Sequence, residues 1–307
     1  MNYTLHQLEI FLEVTNSKSV TKAAEVLNLT QPAVSIQLRN FQNNFDLALT
    51  EVIGRKLYIT DFGLEVAEIS KRILEEAKDL KMVSHSHKGQ LTGKLRISSV
   101  STGKYVIPYF LSDFLRLNPG VELQLNVTNK RDVMDTLEKN EVDFGFVSIL
   151  PDKMQVNNLE IMENKLFIVG KKSNQKHSNS LKLSELTNFI MIFREEGSAT
   201  RLAMENFLSK NKSFINKKFE LASNEAVKQA VLAGLGYSLM PVIGIQNELA
   251  DKKLEIIPVD DLPIVTKWNL IWHTTKKMSA VSKAFLKYIE ENRDQIIEDN
   301  FKQIRNY

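Results

Sequence analysis

The sequence predicts an α+β chain. An N-terminal all-α winged helix-turn-helix and a linker helix come first, and an α/β domain of two lobes follows. Three observations predict this. Apolar residues recur at helical spacing from Leu5 to Val83, interrupted by a turn-rich stretch around Gly54. After Lys94 the pattern changes to short apolar runs alternating with helical stretches, as in a parallel sheet with right-handed crossovers. Between the two regimes lies SHSHKGQLTG (84–93), a polar segment with two glycines that reads as a linker.

Taken in order, Leu5, Leu8, Phe11 and Leu12 form one buried stripe of a first helix. Ser17 or Ser19 caps a second helix, whose inner face is Val20, Ala23, Ala24 and Leu27. Asn28-Leu29-Thr30 is a turn; Thr30 is a good N-cap, and Pro32 sits in the first turn, where a missing N–H costs nothing. The third helix runs to about Asn43 with Val34, Leu38 and Phe41 inward. Residues Leu49–Thr60 predict a two-stranded wing with a basic tip, Gly54-Arg55-Lys56. From about Asp61 to Ser84 the residues Val66, Ile69, Ile73, Ala77, Leu80 and Val83 make a narrow seam, suited to pairing with a second copy. The predicted division is 1–63, the winged helix-turn-helix; 64–93, linker helix and hinge; and 94–307, the two-lobed domain.

In the second region, strands are expected at Leu95–Val100, Val121–Val127 and Val142–Val147, with helices near 104–117 and 131–139. A second set of strands covers Leu166–Gly170, Phe189–Phe193, Lys217–Leu221 and Tyr237–Met240, with helices near 198–209 and 224–233. A strand at Lys267–Trp272 and a helix at Ser279–Glu291 are expected to return to the first lobe. That places lobe I at about 94–163 and 267–298, and lobe II at about 164–266.

Composition narrows the function. With no cysteine, disulfides, thiolate zinc sites and Cys nucleophiles are excluded. His85 and His87 lie two apart in a polar segment and read as solvated linker; no metal and no cofactor are expected. No stretch approaches the roughly 18–20 apolar residues of a membrane helix. The start, MNYTLHQLEIFLEV, reads as an amphipathic helix, so the expected location is the cytoplasm. There is no G-x-S-x-G, P-loop, HExxH, or G-x-G-x-x-G after the first strand of the second region. The carboxylate pairs Glu195-Glu196, Asp260-Asp261 and Glu290-Glu291 are sequence neighbours that point apart, so an enzyme is not expected. The net charge of +3 is a weak hint of nucleic-acid binding, and within residues 1–60 the charges cancel. A nucleic-acid reading must rest on pattern.

That pattern is specific. Leu8, Phe11, Val14, Ser19, Ala23-Ala24, Leu27, Gln31-Pro32-Ala33-Val34-Ser35 and Gln37-Leu38 resemble the helix-turn-helix signature of LysR-type transcriptional regulators, in spacing as well as residue type, and the likeness continues to Leu57, Thr60 and Gly63. The resemblance implies binding to double-stranded DNA at a palindromic promoter site, as a homodimer or homotetramer, with RNA polymerase a candidate partner and no membrane role. It also implies a periplasmic-binding-protein-like effector domain. The expected DNA-binding residues are Lys22, Thr30, Gln31, Pro32, Ser35, Ile36, Arg39, Asn40, Arg55 and Lys56. Gln, Arg and Asn can read base edges in the major groove. Position 36 departs from the family, which usually has a polar or basic residue there. Two readings stay open: Ile36 packs inside its own domain, or it touches thymine methyls. The expected dimer residues are Val66, Ile69, Ile73 and Leu80.

The effector is expected between the lobes, at strand C-termini and helix N-termini. Ser99, Ser101, Thr102, Lys104, Asn129, Ser148, Ser198 and Thr200 are the candidates. Hydroxyls and free N–H groups there suit a carboxylate or phosphate, although plain helix capping explains some of them equally well. Lys130, Arg131 and Arg201 add possible positive charge. Within the family, Ser101-Thr102-Gly103-Lys104-Tyr105 and Val127-Thr128-Asn129-Lys130-Arg131 look like the branch that regulates carbon-fixation and rubisco operons. The resemblance implies a small anionic effector. The alternative is a cytoplasmic small-molecule-binding protein of the two-lobed solute-binding type.

Overall fold

The computed structural model describes residues 3–54, 56–86, 91–173, 180–209 and 218–307. The chain divides into two compact units, Met1–Gln90 and Leu91–Tyr307.

The first unit starts with α1 (Leu5–Ser17), closed by a capping box in which Thr4 accepts from the Gln7 N–H and the Gln7 side chain returns to the Thr4 N–H. Ser19 caps α2 (Val20–Val26) and Thr30 caps α3 (Gln31–Gln42), each accepting from an N–H three residues on. The core joins Leu8, Ile10, Phe11, Val14, Ala23, Ala24, Val34, Leu38 and Phe41. The expected stripe of α1 needs correcting. Leu5, the first helical residue, is 49% exposed because, at about 100° per residue, it lies on the side of α1 away from Ile10 and Val14, and Leu12 is half-buried; Ile10 and Val14 take the inner places.

The wing is the antiparallel pair β1 (Thr50–Ile53) and β2 (Lys56–Ile59), turning at Gly54 with φ +56°. Thr60 then locks the chain into α4 (Asp61–Ser86): its hydroxyl donates to the Ala48 carbonyl and accepts from the Gly63 N–H. Gly63 has no room for a side chain, since a Cβ there would lie 2.1 Å from the Leu49 carbonyl oxygen. The first turns of α4 belong to the same core through Val66, Ala67 and Leu74.

The second unit follows a βαβαβ path through β3 (Thr92–Val100), α5 (Ile107–Leu117), β4 (Gly120–Thr128), α6 (Lys130–Glu138) and β5 (Phe144–Val147). Strand β3 pairs in parallel with both β4 and β5. The chain continues through β6 (Val156–Lys171), β7 (Met191–Arg194), α7 (Ala199–Ser209), β8 (Lys218–Leu221), α8 (Asn224–Ala233), β9 (Ser238–Pro241), α9 (Gln246–Ala250), β10 (Leu254–Ile256), β11 (Ile264–His273) and α10 (Ala280–Phe301). The main sheet runs β10-β6-β11-β5-β3-β4, with β9 also on β6, and β7 and β8 pair in parallel apart from it.

Two lobes result. Strands β6 and β11 run antiparallel from Ile264↔Leu166 to His273↔Val156, with a register shift at Trp268/Asn269. One end of the pair adjoins β5 and the other adjoins β9 and β10. Lobe I closes around Leu95, Ile97, Phe110, Phe144, Trp268 and Phe285. Trp268 is fully buried, its ring stacked 5.2 Å from that of Phe146. Lobe II has a core on each side of its strands, one holding Ile168, Met191 and Met204 and the other Val169, Ile192 and Val231.

Several lengths differ from expectation. The β6 strand begins ten residues before Leu166; VNNLEIMENK hides it because Asn157-Asn158 and Ile161-Met162 break the alternation of polar and apolar residues and no apolar run marks it. The β10 strand was not expected; it is three residues long. Helix α10 extends past Glu291 to Phe301, where Ile296 and Phe301 return to the lobe I core beyond the polar stretch Glu290–Gln295.

Candidate DNA-reading and effector sites

The outer face of α3 presents Gln31, Pro32, Ile36, Arg39 and Asn40 to solvent, with Ser35 half-exposed beside them. Gln31 donates its side-chain N–H to the Ser35 hydroxyl at 3.2 Å, which orients both. Thr30 is exposed at the helix start but spends its hydroxyl on the Ala33 N–H. Lys22 on α2 and Lys56 on the wing are exposed. Ile36 is 54% exposed and is not one of the residues that form the unit's core. Arg55, His87 and the side chains of Leu80, Val83 and His85 lie outside the described residues.

The dimer seam expected on α4 is only partly free. Val66 is 9% exposed and Ile73 packs against the unit's core. The face of α4 that carries Val66 is used within the chain, because α1 lies along it. Ile69, at 48%, stays open.

Between the lobes lies a cleft of about 490 Å³. Lobe I lines it with Lys130, Arg131, Met134 and Asp135, and lobe II with Glu196, Gly197, Ser198, Arg201, Leu202 and Glu205. Asn129 caps α6 by accepting the Asp132 N–H at 3.0 Å. Gly197, at φ +84°, brings its backbone against the other lobe: a Cβ there would lie 3.1 Å from the Arg131 Cβ and 3.4 Å from the Asn129 Oδ1. A second link between lobes is the Asn224 side-chain N–H, which donates to the Tyr105 hydroxyl at 3.4 Å.

Of the eight predicted effector residues, Ser198 lines this cleft. Its hydroxyl faces the Arg201 N–H at 3.5 Å, the position of a helix cap. Ser101, Lys104 and Asn129 are half-buried. Thr102, Ser148 and Thr200 are buried. Ser99 is a correction: it is fully buried and donates to the Val100 carbonyl, with Gly103 packed over it, so it shapes the loop from inside and offers nothing to a ligand.

The charges sort into committed and available ones. Arg201 binds Glu205 at 2.7 Å, Glu220 at 2.6 Å and the Arg194 carbonyl at 3.0 Å. The Glu205 hydrogen bond leads the effects that raise its pKa. The expectation that Arg201 brings free positive charge is therefore corrected. Lys130 donates to the Leu150 carbonyl at 3.1 Å; burial holds its ammonium below the ordinary lysine value, partly offset by Asp152. Arg131 is exposed at the cleft and carries the most available charge. Sequence reasoning passed over Glu196 and Gly197 as cleft residues and the link between Tyr105 and Asn224. The first two adjoin a loop already singled out, whereas nothing in the sequence joins Tyr105 to Asn224. Among the described residues no group of three or more His, Cys, Asp or Glu is placed to hold a metal ion, and no helix is long and apolar enough to cross a membrane.

A winged helix-turn-helix followed by two lobes around a ligand-sized cleft defines a class of ligand-responsive DNA-binding proteins. Comparison with known proteins agrees. Residues 5–64 match the bacterial regulatory helix-turn-helix protein, lysR family, and residues 88–294 match the LysR substrate binding domain. The chain is 35% identical to the HTH-type transcriptional activator CmpR of Synechocystis sp., covering 94% of this chain and 95% of that one. It is 33% identical to the RuBisCO operon transcriptional regulator of Allochromatium vinosum, covering 94% and 96%. The solved regulatory domain of Synechocystis PCC6803 CcmR in complex with 2-PG superposes with a TM-score of 0.62 at 31% identity, over 65% of this chain and 97% of that one. The chain belongs to the LysR family, and its likeness falls in the carbon-fixation regulator branch. It is a DNA-binding transcriptional regulator whose second unit is an effector-binding domain for a small metabolite.

Proposed function

We propose that this regulator works as a homodimer or dimer of dimers in the cytoplasm, by binding and without catalysis. It reads a palindromic promoter site with α3 and the wing, and a small anionic metabolite seated between the lobes alters that binding. The working division is residues 1–63 for DNA reading, 64–93 for dimerisation and the remainder for the effector. The observation that carries the effector reading is the meeting of two helix starts, α6 and α7, at one cleft beside Lys130 and Arg131. Free N–H groups at helix N-termini favour anions. The lining as a whole balances Lys130, Arg131 and Arg201 against Asp135, Glu196 and Glu205, so the anion is held at the Lys130–Arg131 side and not by net charge. The likeness to a domain bound to 2-PG supports an acid of that size. The effector must bind two arrangements of the oligomer unequally, or it would switch nothing.

The test is a mobility-shift titration of the full chain on its own upstream intergenic DNA, with and without 2-PG and other small phosphorylated or carboxylic acids. Saturable binding that survives excess unrelated DNA, and that shifts with one acid, is the expected result. Binding that answers only to neutral or cationic compounds would overturn the anionic reading.

A further inference from the structure

The outward face of α3 is polar except along its midline. At 3.6 residues per turn, Pro32 and Ile36 stand opposite the buried Val34, Leu38 and Phe41. Gln31, Ser35 and Arg39 flank this strip on one side and Asn40 on the other. Ile36 is not part of the unit's core. It is 54% exposed, and as a β-branched residue it is a poorer helix former than a long polar one. It stands in the middle of the face that the family places on DNA. In the major groove the apolar group that distinguishes one base from the others is the 5-methyl of thymine. A side-chain amide such as that of Asn40 beside it suits adenine N6 and N7.

We propose that Ile36 determines sequence specificity by packing on a thymine 5-methyl group, so that each half-site carries an A·T pair under the middle of α3. This rests on the DNA-reading role of that helix and adds to it the base and the atom read.

The experiment uses the full chain. Binding-site selection from random duplexes first supplies a preferred operator. Each thymidine in it is then replaced by deoxyuridine, which removes the methyl and leaves every hydrogen-bonding group in place, and Kd is measured by fluorescence anisotropy at fixed salt. Wild-type protein should bind about fourfold more weakly for the uracil at one or two positions in each half-site, the factor for burying one methyl-sized group. Ile36→Ala should bind thymine and uracil duplexes alike at those positions and lose its thymine preference there on reselection. A flat uracil scan with wild type, or a penalty undiminished in Ile36→Ala, overturns the proposal while leaving α3 as the reading helix. A selection that returns no preferred sequence overturns the DNA-reading role, and this proposal with it.

Discussion

Replacing Gly63 by alanine tests how the wing is tied to the long helix. The added Cβ would sit 2.1 Å from the Leu49 carbonyl oxygen and 2.9 Å from Ile59 Cγ2. One neighbour is backbone, so either α4 or the strand entry has to move by roughly an ångström to reach ordinary contact. Overpacking of this kind costs about 1–3 kcal/mol. Losing the 2.9 Å bond from the Gly63 N–H to Thr60 Oγ1 adds about 1 kcal/mol. Alanine's better helix propensity offsets up to about 1 kcal/mol. The net loss of about 2 kcal/mol corresponds to a fall in Tm of about 8–16 °C for a domain of this size. The molecule provides its own control. Its two tryptophans, Trp268 and Trp272, both lie in the second unit. Tryptophan fluorescence therefore follows that unit alone, while far-UV circular dichroism follows both. The helical transition of the first unit should drop and the fluorescence transition should stay in place. A drop below about 2 °C, or fluorescence that moves in step, would refute the steric argument.

Other substitutions separate the remaining roles. Ile69→Lys places a charge on the open part of α4 and should shift the protein toward monomer in sedimentation velocity and weaken operator binding; unchanged mass and affinity would show that this face is not the dimer contact. Ile73→Lys is a poorer test, because Ile73 also packs on the core. Arg131→Ala should weaken binding of whichever small acid shifts the operator complex, read by calorimetry, by roughly 10- to 100-fold, the range for a lost charged hydrogen bond, with Tm little changed; equal affinity would move the anion elsewhere in the cleft. Burial lowers the folded-state pKa of Lys130 below 10.5, so the folded state binds fewer protons than the unfolded one and stability rises with pH between those two values. Stability of Lys130→Met relative to wild type should accordingly be highest near neutral pH and decline as pH approaches 10.5. A difference that does not vary with pH would mean that burial of the ammonium has no energetic effect.

The first unit was largely legible in its sequence because its signals are local. Ser19, Thr30 and Pro32 mark helix starts, and Val34, Leu38 and Phe41 mark an inner face without reference to anything distant. What was misread there depends on packing between elements. Val66 looks like a seam residue along α4, and only the placement of α1 shows that it is core. The lobes were legible as strand and helix alternation, but β6 hid its first half because neither a regular alternation nor an apolar run marks those residues. The cleft was least legible. Ser99 and Ser198 stand in the right kind of segment, yet the Ser99 hydroxyl is buried on the Val100 carbonyl, while Ser198 lines the cleft and also faces the Arg201 N–H. Whether a serine faces a ligand or its own backbone is settled by the fold of a few residues around it, which residue type does not encode.

The crossing pair β6 and β11 bears on how the chain is made. Every strand and helix of lobe II lies between the two crossing strands, whereas lobe I needs Trp268 from β11 and Phe285, Ile289 and Phe301 from α10 for its core. During synthesis at about 5–20 residues per second, the lobe that begins first is therefore completed last. Its parallel strands β4-β3-β5 wait as an open half, with apolar side chains uncovered, until the inserted lobe has emerged and folded. A chain stopped short of α10 would still hold every residue of lobe II and the DNA-reading unit, and yet leave the first lobe without the helix that covers it.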